Sequence, residues 1–344
     1  MKKTILAMAC LAVIGSAFAQ SSVTIVGIAD TALAYGSGHV SRKTQLKSSG
    51  LNSSQLGFRG TEDLGGGLKA SFWLEAGLNI DDGTGQATST NNQATGSSGA
   101  GGLTFNRRST VSLSGDFGEV RLGRDYTPHY WNHVYYDPFG NFGVGASRAF
   151  VGNKGGFTAI RASNSAGYIS PVMRGFKVQV QTYFGENAST AVDAGTGSSL
   201  RASYDQGALN LGIAYGKTTT GVGINVKSTN VGGSYDFGVA KLMGAITKDA
   251  NTGVADVDGF VFGVHVPVGA VGTVRASLSQ TDNGTAKTKQ LALGYVHNLS
   301  KRTALYTTFA RVKNSGGAAA ALNGAEAKAN GSSAGYDFGI RHIF

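Results

Sequence analysis

The sequence has few of the residues on which many folds and sites depend. Of its 344 residues only one is cysteine and four are proline, and 15% are charged. A single cysteine excludes intramolecular disulfides and cysteine-rich zinc sites. After the first 19 residues, no apolar run approaches the roughly 18 residues that indicate a membrane-spanning helix. The composition therefore excludes a disulfide-stabilised protein and a helical membrane protein.

The first 19 residues are typical of a secretory signal peptide. Met1–Lys3 is positively charged, Thr4–Gly15 is apolar, and Ala17-Phe18-Ala19 provides a cleavage site of small residues. We place the cleavage after Ala19, so that residues 20–344 form the mature chain. A lipoprotein acylated at Cys10 is the alternative, but Cys10 lies in the middle of the apolar segment. Cleavage removes this cysteine and with it any thiolate chemistry.

The mature sequence predicts an all-β fold. Its abundant glycine, 53 residues in the whole chain, suits turns between short strands and disfavours helices. Apolar and polar residues alternate in several segments, as expected for strands with two different faces. The clearest examples are residues 68–76, 176–184 and 274–279. No motif of about 40 residues repeats, which counts against a propeller.

The spacing of turns predicts a membrane barrel. Seven short turns lie near residues 63–66, 115–118, 171–175, 205–207, 236–238, 267–269 and 298–300. They alternate with eight longer polar or glycine-rich connections, near residues 36–50, 81–102, 127–157, 187–197, 218–225, 249–255, 281–286 and 313–331. Outer-membrane barrels have short turns at one end, long loops at the other and an even number of strands. We therefore predict a transmembrane antiparallel β-barrel of sixteen strands, wide enough for an aqueous channel.

The last nine residues fit a strand between lipid and water. Tyr336, Phe338, Ile340, His342 and Phe344 share one face, and Asp337, Gly339 and Arg341 share the other. The segment resembles the carboxy-terminal signal of bacterial outer-membrane proteins. This resemblance implies that the outer-membrane insertion machinery recognises Tyr336, Phe338, Ile340 and Phe344.

Several segments together resemble the general porins of Gram-negative bacteria, in particular the trimeric porins of betaproteobacteria. Residues 21–27 (SSVTIVG) resemble the family's first strand, and residues 55–70 (QLGFRGTEDLGGGLKA) resemble its second hairpin almost residue by residue. Residues 106–128 resemble the stretch that leads into the third loop. The resemblance covers the whole mature chain.

The resemblance implies a homotrimeric diffusion channel for small hydrophilic solutes in the outer membrane, in contact with lipid and lipopolysaccharide. It also implies that the third loop, residues 127–157, folds into the barrel and faces a basic cluster at a constriction. Carried over to this chain, the cluster is Arg59, Arg107 and Arg161. Strict alternation favours Arg108 over Arg107, and a β-bulge would reconcile the two, so both remain candidates.

The charge pattern predicts a preference for anions. The family usually has an arginine at the position of Gln55, so the wall carries one base fewer here. By alternation, five other bases are expected to face the lumen, namely Lys69, Lys177, Arg275, Arg311 and Arg341, with few acids such as Glu75. On the third loop, Asp137 is the one acid away from the loop's ends. Bases that line a pore favour anions.

Alternation places Arg124 on the outer face, with Val120 and Leu122. A charge facing lipid is costly, and in resembling porins this part of the fifth strand lies at the subunit interface. We therefore predict that Arg124 contributes to the trimer interface, with Asp81 or Asp82 of a neighbour's second loop as its partner. The alternative is that Arg124 lies at the aqueous rim without a partner.

The sequence offers little that would support catalysis. His129 and His133 have the spacing of a metal pair on a helix, but tyrosines and a tryptophan surround them and a metalloprotease glutamate is missing. We interpret them as packing residues and predict neither a metal nor a cofactor. Scattered bases form no patch for nucleic acid. An enzyme built on a barrel and a structural or adhesive barrel with a plugged lumen are the alternatives to a channel.

Overall fold

A computed structural model describes residues 22–99, 101–150, 156–188 and 193–344. The predicted signal peptide and its cleavage site lie outside these ranges. The strands of the first half are β1 (Ser22–Ser37), β2 (Arg42–Ser48), β3 (Gln55–Gly65), β4 (Leu68–Gly77), β5 (Thr88–Ser89), β6 (Ser97–Ser98), β7 (Arg108–Gly115), β8 (Gly118–Tyr126), β9 (Arg161–Ile169) and β10 (Phe176–Tyr183).

The second half consists of longer strands. They are β11 (Gly197–Gln206), β12 (Leu209–Gly221), β13 (Ile224–Asp236), β14 (Lys241–Asn251), β15 (Val257–Val268), β16 (Gly272–Asp282), β17 (Lys287–Asn298), β18 (Thr303–Ser315) and β19 (Ser332–Ile343). The helix α1 (Trp131–Tyr136) follows the 3₁₀ turn Pro128–Tyr130. Two further 3₁₀ turns are Ala94–Gly96 and Gly156–Thr158. Among the described residues, no helix is long and apolar enough to cross a bilayer.

The strands close into a barrel of sixteen. Seventeen segments form one antiparallel sheet, and β1 pairs with β19 over Ile28–Ser37. Because β2 and β3 both pair with β1, they are two parts of one wall strand, interrupted at residues 49–54. The hairpin of β5 and β6 lies outside the wall. The predicted architecture of sixteen strands is confirmed.

The connections have the predicted alternation of short turns and longer loops. At the tightest turn, Gly65, Gly66 and Gly67 have φ values of +83°, +59° and +81°, which residues with a side chain rarely adopt. At the opposite end lie loop 2 (residues 78–107), loop 3 (residues 127–160) and loop 8 (residues 316–331).

The two faces of the wall differ in composition. Outward residues of the second half are apolar and exposed, for example Ile213, Ile246 and Phe262. Inward residues of the same strands are small or polar and buried, for example Ser199 and Asn230. The buried apolar clusters also lie inside, where Phe139 and Val144 of loop 3 pack against Ala310 and Val312. The core of this barrel therefore consists of loop residues packed on its inner wall.

Candidate functional site

Three arginines and two aromatic rings meet on adjacent strands of the inner wall. The guanidinium carbon of Arg59 lies 5.4 Å from the ring centre of Trp73, and that of Arg108 lies 4.5 Å from the same ring. The guanidinium carbon of Arg161 lies 4.3 Å from the ring centre of Tyr126. Cations are attracted to the faces of aromatic rings, so the rings hold the positive groups apart and in place. We call these residues, together with Arg107, the arginine cluster.

Arg107 enters the cluster although it is adjacent to Arg108 in sequence. It precedes β7, where strict alternation does not apply, and its Nε lies 2.7 Å from Glu75 Oε1. Its Nη1 donates to Ser53 Oγ at 2.5 Å, and its Nη2 donates to Tyr126 Oη at 2.5 Å. Both adjacent arginines therefore point to the interior, because one lies on the strand and the other before it.

The cluster has an excess of positive charge. Arg108 pairs with Asp125 at 2.6 Å, and Arg121 pairs with Asp125 at 2.5 Å and with Glu119 at 2.8 Å. Counting Arg59, Arg107, Arg108, Arg121 and Arg161 against Glu75, Glu119 and Asp125 gives 5 − 3 = +2. Within the described residues, Arg59 and Arg161 form no ion pair. These two side chains therefore carry the uncompensated charge.

Asp30 organises the interruption of the second wall strand that brings Ser53 to the cluster. Its buried carboxylate accepts hydrogen bonds from the backbone N–H groups of Gly50, Leu51 and Asn52 at 3.2, 2.9 and 2.6 Å. Tyr306 Oη donates to the same carboxylate at 2.5 Å. Residues 49–54 thus turn inward, because one acid satisfies three of their donors.

Loop 3 lies against the inner wall opposite the cluster. The backbone N–H of His129 donates to Ser199 Oγ at 3.0 Å, and Asn132 Nδ2 donates to Asn230 Oδ1 at 2.7 Å. Farther along the loop, the backbone N–H of Val144 donates to Asp337 Oδ2 at 2.7 Å. These partners lie on β11, β13 and β19, so the loop reaches widely separated strands through the interior of the closed sheet.

Glycines in the wall make room for this loop. A Cβ on Gly232 would lie 2.3 Å from Tyr136 Cδ2, and one on Gly263 would lie 2.3 Å from Pro138 Cγ. Real Cβ contacts are never this short, so a side chain at either position would displace the loop. At the loop's start, the ring centre of Tyr126 lies 5.7 Å from the ring centre of Tyr130 and 5.1 Å from that of Trp131. Loop 3 is thus stacked on the cluster at its start and packed against wall glycines at Tyr136 and Pro138.

Asp137 lies within loop 3 and does not face the arginines. Its carboxylate accepts hydrogen bonds from the backbone N–H groups of Phe139 and Ser147, both at 2.8 Å. Burial raises its pKa to about 6, against the opposing effect of these donors. The sequence predicted this acid at the constriction, whereas in the structure its carboxylate stabilises loop 3 from within.

His129 and His133 are packing residues in the structure. His129 Nδ1 lies 2.9 Å from Ser199 Oγ, and the His133 ring stacks on Phe150 with ring centres 4.2 Å apart. Burial lowers the pKa of His129 to about 4 and the pKa of His133 well below its ordinary value. No group of three or more metal-binding side chains occurs among the described residues.

The other predicted wall residues lie at different levels along their strands. Gln55 is four positions before Arg59 on the same face of β3, which is about 13 Å along the strand. Lys69 is at the turn end of β4, about 13 Å from the level of Trp73. The prediction for Arg311 is wrong. Its neighbours Ala310 and Val312 are the inward residues of β18, so Arg311 faces outward.

Arg124 has three hydrogen-bond acceptors in its own chain. Its Nε donates to the backbone oxygen of Asn106 at 2.6 Å, and its Nη1 donates to Ser163 Oγ at 2.8 Å and to the backbone oxygen of Ser89 at 3.3 Å. The alternative of an arginine without a partner is therefore wrong. Neither Asp81 nor Asp82 of the same chain pairs with it, and Asp82 instead accepts hydrogen bonds from Thr84.

The carboxy-terminal residues close the barrel. Phe344 and Gly27 exchange two backbone hydrogen bonds of 3.0 Å. The predicted signal residues each have about half of their surface exposed on the outer face, and these are Tyr336, Phe338, Ile340 and Phe344.

Sequence reasoning missed the aromatic parts of the site. Trp73 has inward parity between Ser71 and Glu75, and a large apolar ring on a polar face is the signal that could have identified it. Tyr126 offers no comparable signal, because its position between Arg107 and Arg161 depends on pairing across strands.

Comparison with known proteins gives one consistent result. The model of the Gram-negative porin family matches residues 5–317. Outer membrane porin protein 32 of Delftia acidovorans is 40% identical over the full length of both chains. An outer membrane porin of Bordetella pertussis is 30% identical, again over the full length of both.

Solved structures agree with the sequence relatives. The anion-selective porin from Comamonas acidovorans superimposes with a TM-score of 0.82 at 38% identity, covering 94% of this chain and all of that one. OmpT of Vibrio cholerae, in its trimer form, gives a TM-score of 0.65 at 13% identity and covers 94% of this chain and 99% of its own. The latter likeness concerns the fold alone.

Proposed function

The chain belongs to the Gram-negative porin family, whose members are outer-membrane channels, and we propose that this channel passes small hydrophilic anions in preference to cations. The observation that supports the proposal is the uncompensated charge of Arg59 and Arg161 beside a loop that crosses the interior. A ring of bases in a confined passage raises the local concentration of anions and repels cations. The relative from Comamonas acidovorans, which is described as anion-selective, supports the same assignment.

The proposed constriction lies between the arginine cluster and loop 3. Arg59, Arg107, Arg108 and Arg161 form its basic wall, with Gln55 near one edge. Asp137 supports the opposite side from within the loop. Lys69 lies away from this level and contributes only to the field at the turn end of the lumen. A solute thus meets positive charge on one side and a rigid, polar loop on the other.

Zero-current potentials across planar bilayers in a salt gradient test this proposal. Arg59→Gln and Arg161→Gln should each reduce the anion preference of the wild type. The effect should grow at low salt, because the screening length increases from about 3 Å at 1 M to about 30 Å at 0.01 M. Lys69→Gln is the matched control, since it removes one lumen charge away from the cluster. A cation-selective wild type, or an equal effect of the control, would contradict the proposal.

We further propose that the working unit is a homotrimer exported with a cleaved signal peptide. The family resemblance supports the trimer, and the order of charged, apolar and small residues in the first 19 positions supports the cleavage. Mass spectrometry of the purified protein should give a chain beginning at Gln20. The outer-membrane insertion machinery and lipopolysaccharide are the other partners that we propose.

A further inference from the structure

Tyr126 lies where loop 3 leaves the wall, between two arginines of the cluster. It is the last residue of β8 and pairs with Arg161 of β9. Without the register shift that follows Gly123, Ala162 would lie opposite Tyr126 instead. On the other side, the Arg107 side chain reaches Tyr126 from the residue that precedes β7. The strand pairing thus brings two cations to one phenol ring.

The hydroxyl oxygen of Tyr126 accepts a hydrogen bond from each of these arginines. Arg107 Nη2 donates to it at 2.5 Å, and Arg161 Nη2 donates to it at 2.8 Å. A phenol oxygen has two lone pairs and one proton. Because the two guanidinium groups occupy both lone pairs, the hydroxyl of Tyr126 can take part in a further hydrogen bond only as a donor.

The proton of this hydroxyl has no acceptor within the described part of the chain, where Tyr126 Oη occurs only as an acceptor. The carboxylates of Glu75 and Asp125 pair with Arg107 and Arg108 instead. Tyr126 is partly exposed, so a solute in the lumen can reach it. A hydroxyl that accepts from two cations is polarised, which makes its proton a stronger donor.

Aromatic contacts hold the ring of Tyr126 in place. Its plane makes an angle of 12° with the ring of Tyr130, whose centre lies 5.7 Å away. The ring centre of Trp131 lies 5.1 Å away, and the guanidinium carbon of Arg161 lies 4.3 Å from the centre of the Tyr126 ring. The position of the hydroxyl is therefore set before a solute arrives, which lowers the cost of binding one.

A fixed O–H donor beside arginines suits an anion whose charge lies on oxygen. The planar fork of arginine can donate two hydrogen bonds to a carboxylate or a phosphate, and a hydroxyl donates a short, strong bond to the same kind of oxygen. Such an anion has several oxygen lone pairs and can accept all of these bonds at once. Chloride has no such set of oxygens, so it responds mainly to the net charge of the cluster.

We propose that Tyr126 is a specificity-determining residue of the channel, whose hydroxyl donates to carboxylates and phosphates at the arginine cluster and favours these oxyanions over chloride. This role rests on the anion preference proposed above and adds a solute class to it. Arg59 and Arg161 distinguish anions from cations by charge, whereas Tyr126 distinguishes one anion from another by hydrogen bonding.

The test measures how inorganic phosphate blocks the chloride current of the purified porin in planar bilayers. Phosphate should reduce the chloride conductance of the wild type by occupying the arginine cluster. In Tyr126→Phe the half-blocking phosphate concentration should rise about ten-fold, the effect of losing one hydrogen bond to a charged group. Phenylalanine keeps the ring that holds Arg161 and removes no charge, so the zero-current potential in a potassium chloride gradient should stay the same.

Tyr183→Phe is the matched control, because it also removes one phenol hydroxyl from the barrel. Tyr183 is fully buried on β10, away from the arginine cluster, and its hydroxyl already donates to the backbone oxygen of Lys217 at 3.1 Å. Its proton is therefore not available to a solute. The half-blocking phosphate concentration of this variant should stay within about two-fold of the wild type.

Three outcomes would overturn this role of Tyr126. The first is a wild-type chloride conductance that phosphate leaves unchanged, and the second is equal block of Tyr126→Phe and the wild type. The third is a change of the zero-current potential in Tyr126→Phe as large as that in Arg161→Gln, which would mean that the hydroxyl only positions the arginines. An anion-selective wild type in any of these cases would leave the proposed channel function intact, whereas a cation-selective wild type would contradict both.

Discussion

The guanidinium Nε of Arg107 lies 2.7 Å from Glu75 Oε1, and less than one tenth of either side chain is exposed. The attraction between two buried opposite charges at this distance is stronger than in water, and it offsets the cost of removing both groups from water. The pair therefore positions Arg107 and cancels its charge, whereas Arg59 and Arg161 retain theirs. The arginines of the cluster thus divide into members with an acidic partner and members without one.

This division predicts the effect of Glu75→Gln on selectivity. Because the charge of Arg107 then becomes uncompensated, the anion preference should increase, as measured by the zero-current potential in a salt gradient. Breaking a buried ion pair costs about 3–5 kcal/mol, so the unfolding temperature should also fall. Glu62→Gln, on the outer face of β3, should change neither quantity. A decrease in anion preference would show that Glu75 does not neutralise Arg107.

Gly232 predicts how loop 3 controls conductance. In Gly232→Val the new side chain would lie against Tyr136 and should push α1 toward the arginine cluster. Single-channel conductance should therefore fall, and the barrel should lose about 1–3 kcal/mol of stability through overpacking. Gly233→Val is the control, because its Cβ would lie on the other face, 2.8 Å from the flexible side chain of Leu211 and 3.2 Å from the backbone oxygen of Asn210, and would not meet the loop. Equal conductance of both variants would count against this position of the loop.

The buried histidines predict how stability depends on pH. His129, whose pKa is lowered to about 4, stays neutral in the folded chain, whereas the unfolded chain binds a proton below about pH 6.5. Its contribution is therefore complete above pH 6.5 and is lost as the pH falls toward 4, by up to roughly 3 kcal/mol. The pKa of His133 is also lowered and acts in the same direction.

Asp137 opposes this effect, because its raised pKa lets the folded chain bind a proton first as the pH falls from about 6. Because two histidines of loop 3 act against one aspartate, these three groups together should contribute less to stability at pH 4.5 than at pH 7. His129→Asn should reduce the difference between the unfolding temperatures at these two pH values. His39→Asn, in an exposed turn, should preserve it. An undiminished difference in His129→Asn would rule out this histidine as a source.

Arg124 predicts a change in assembly without a change in transport. Arg124→Ala removes three hydrogen bonds that the Arg124 side chain donates to acceptors of loop 2 and β9. Each of these bonds contributes roughly 1.5–3 kcal/mol, because the donor is charged. Trimers should therefore dissociate at a lower temperature in detergent, with unaltered single-channel conductance. Arg124→Lys should rescue little, since one ammonium cannot reach three separate acceptors. Altered selectivity with normal dissociation would place Arg124 on the lumen side.

Phe344 predicts an effect on assembly in cells. Its backbone closes the last strand on Gly27, and its ring is half exposed on the outer face. Deletion should reduce the amount of folded trimer in the outer membrane while export across the inner membrane continues, as immunoblots of cell fractions would show. Thr303→Ala, nearby at the start of β18, should leave the yield unchanged. A normal yield of the Phe344 deletion would argue against the carboxy-terminal signal.

Local sequence patterns were sufficient to predict the sixteen strands. An alternation such as that of residues 176–184 depends only on neighbouring residues and on the two solvents that a wall strand separates. Short turns such as Gly65–Gly67 require backbone angles that glycine adopts, and glycine is visible in the sequence. The carboxy-terminal strand could be predicted from nine residues for the same reason, because its alternation involves only neighbouring residues.

Only the tertiary structure decided which face of β18 is inside and which groups form the site. Ala310 and Val312 look lipid-facing, but Phe139 and Val144 of loop 3 make that inner surface apolar, so alternation gave the wrong side for Arg311. Asp137 stabilises its own loop, because the backbone N–H groups of Phe139 and of Ser147, ten residues away, both donate to its carboxylate. Hydrogen bonds between residues far apart in the chain depend on the closed barrel, whereas alternation depends on adjacent residues.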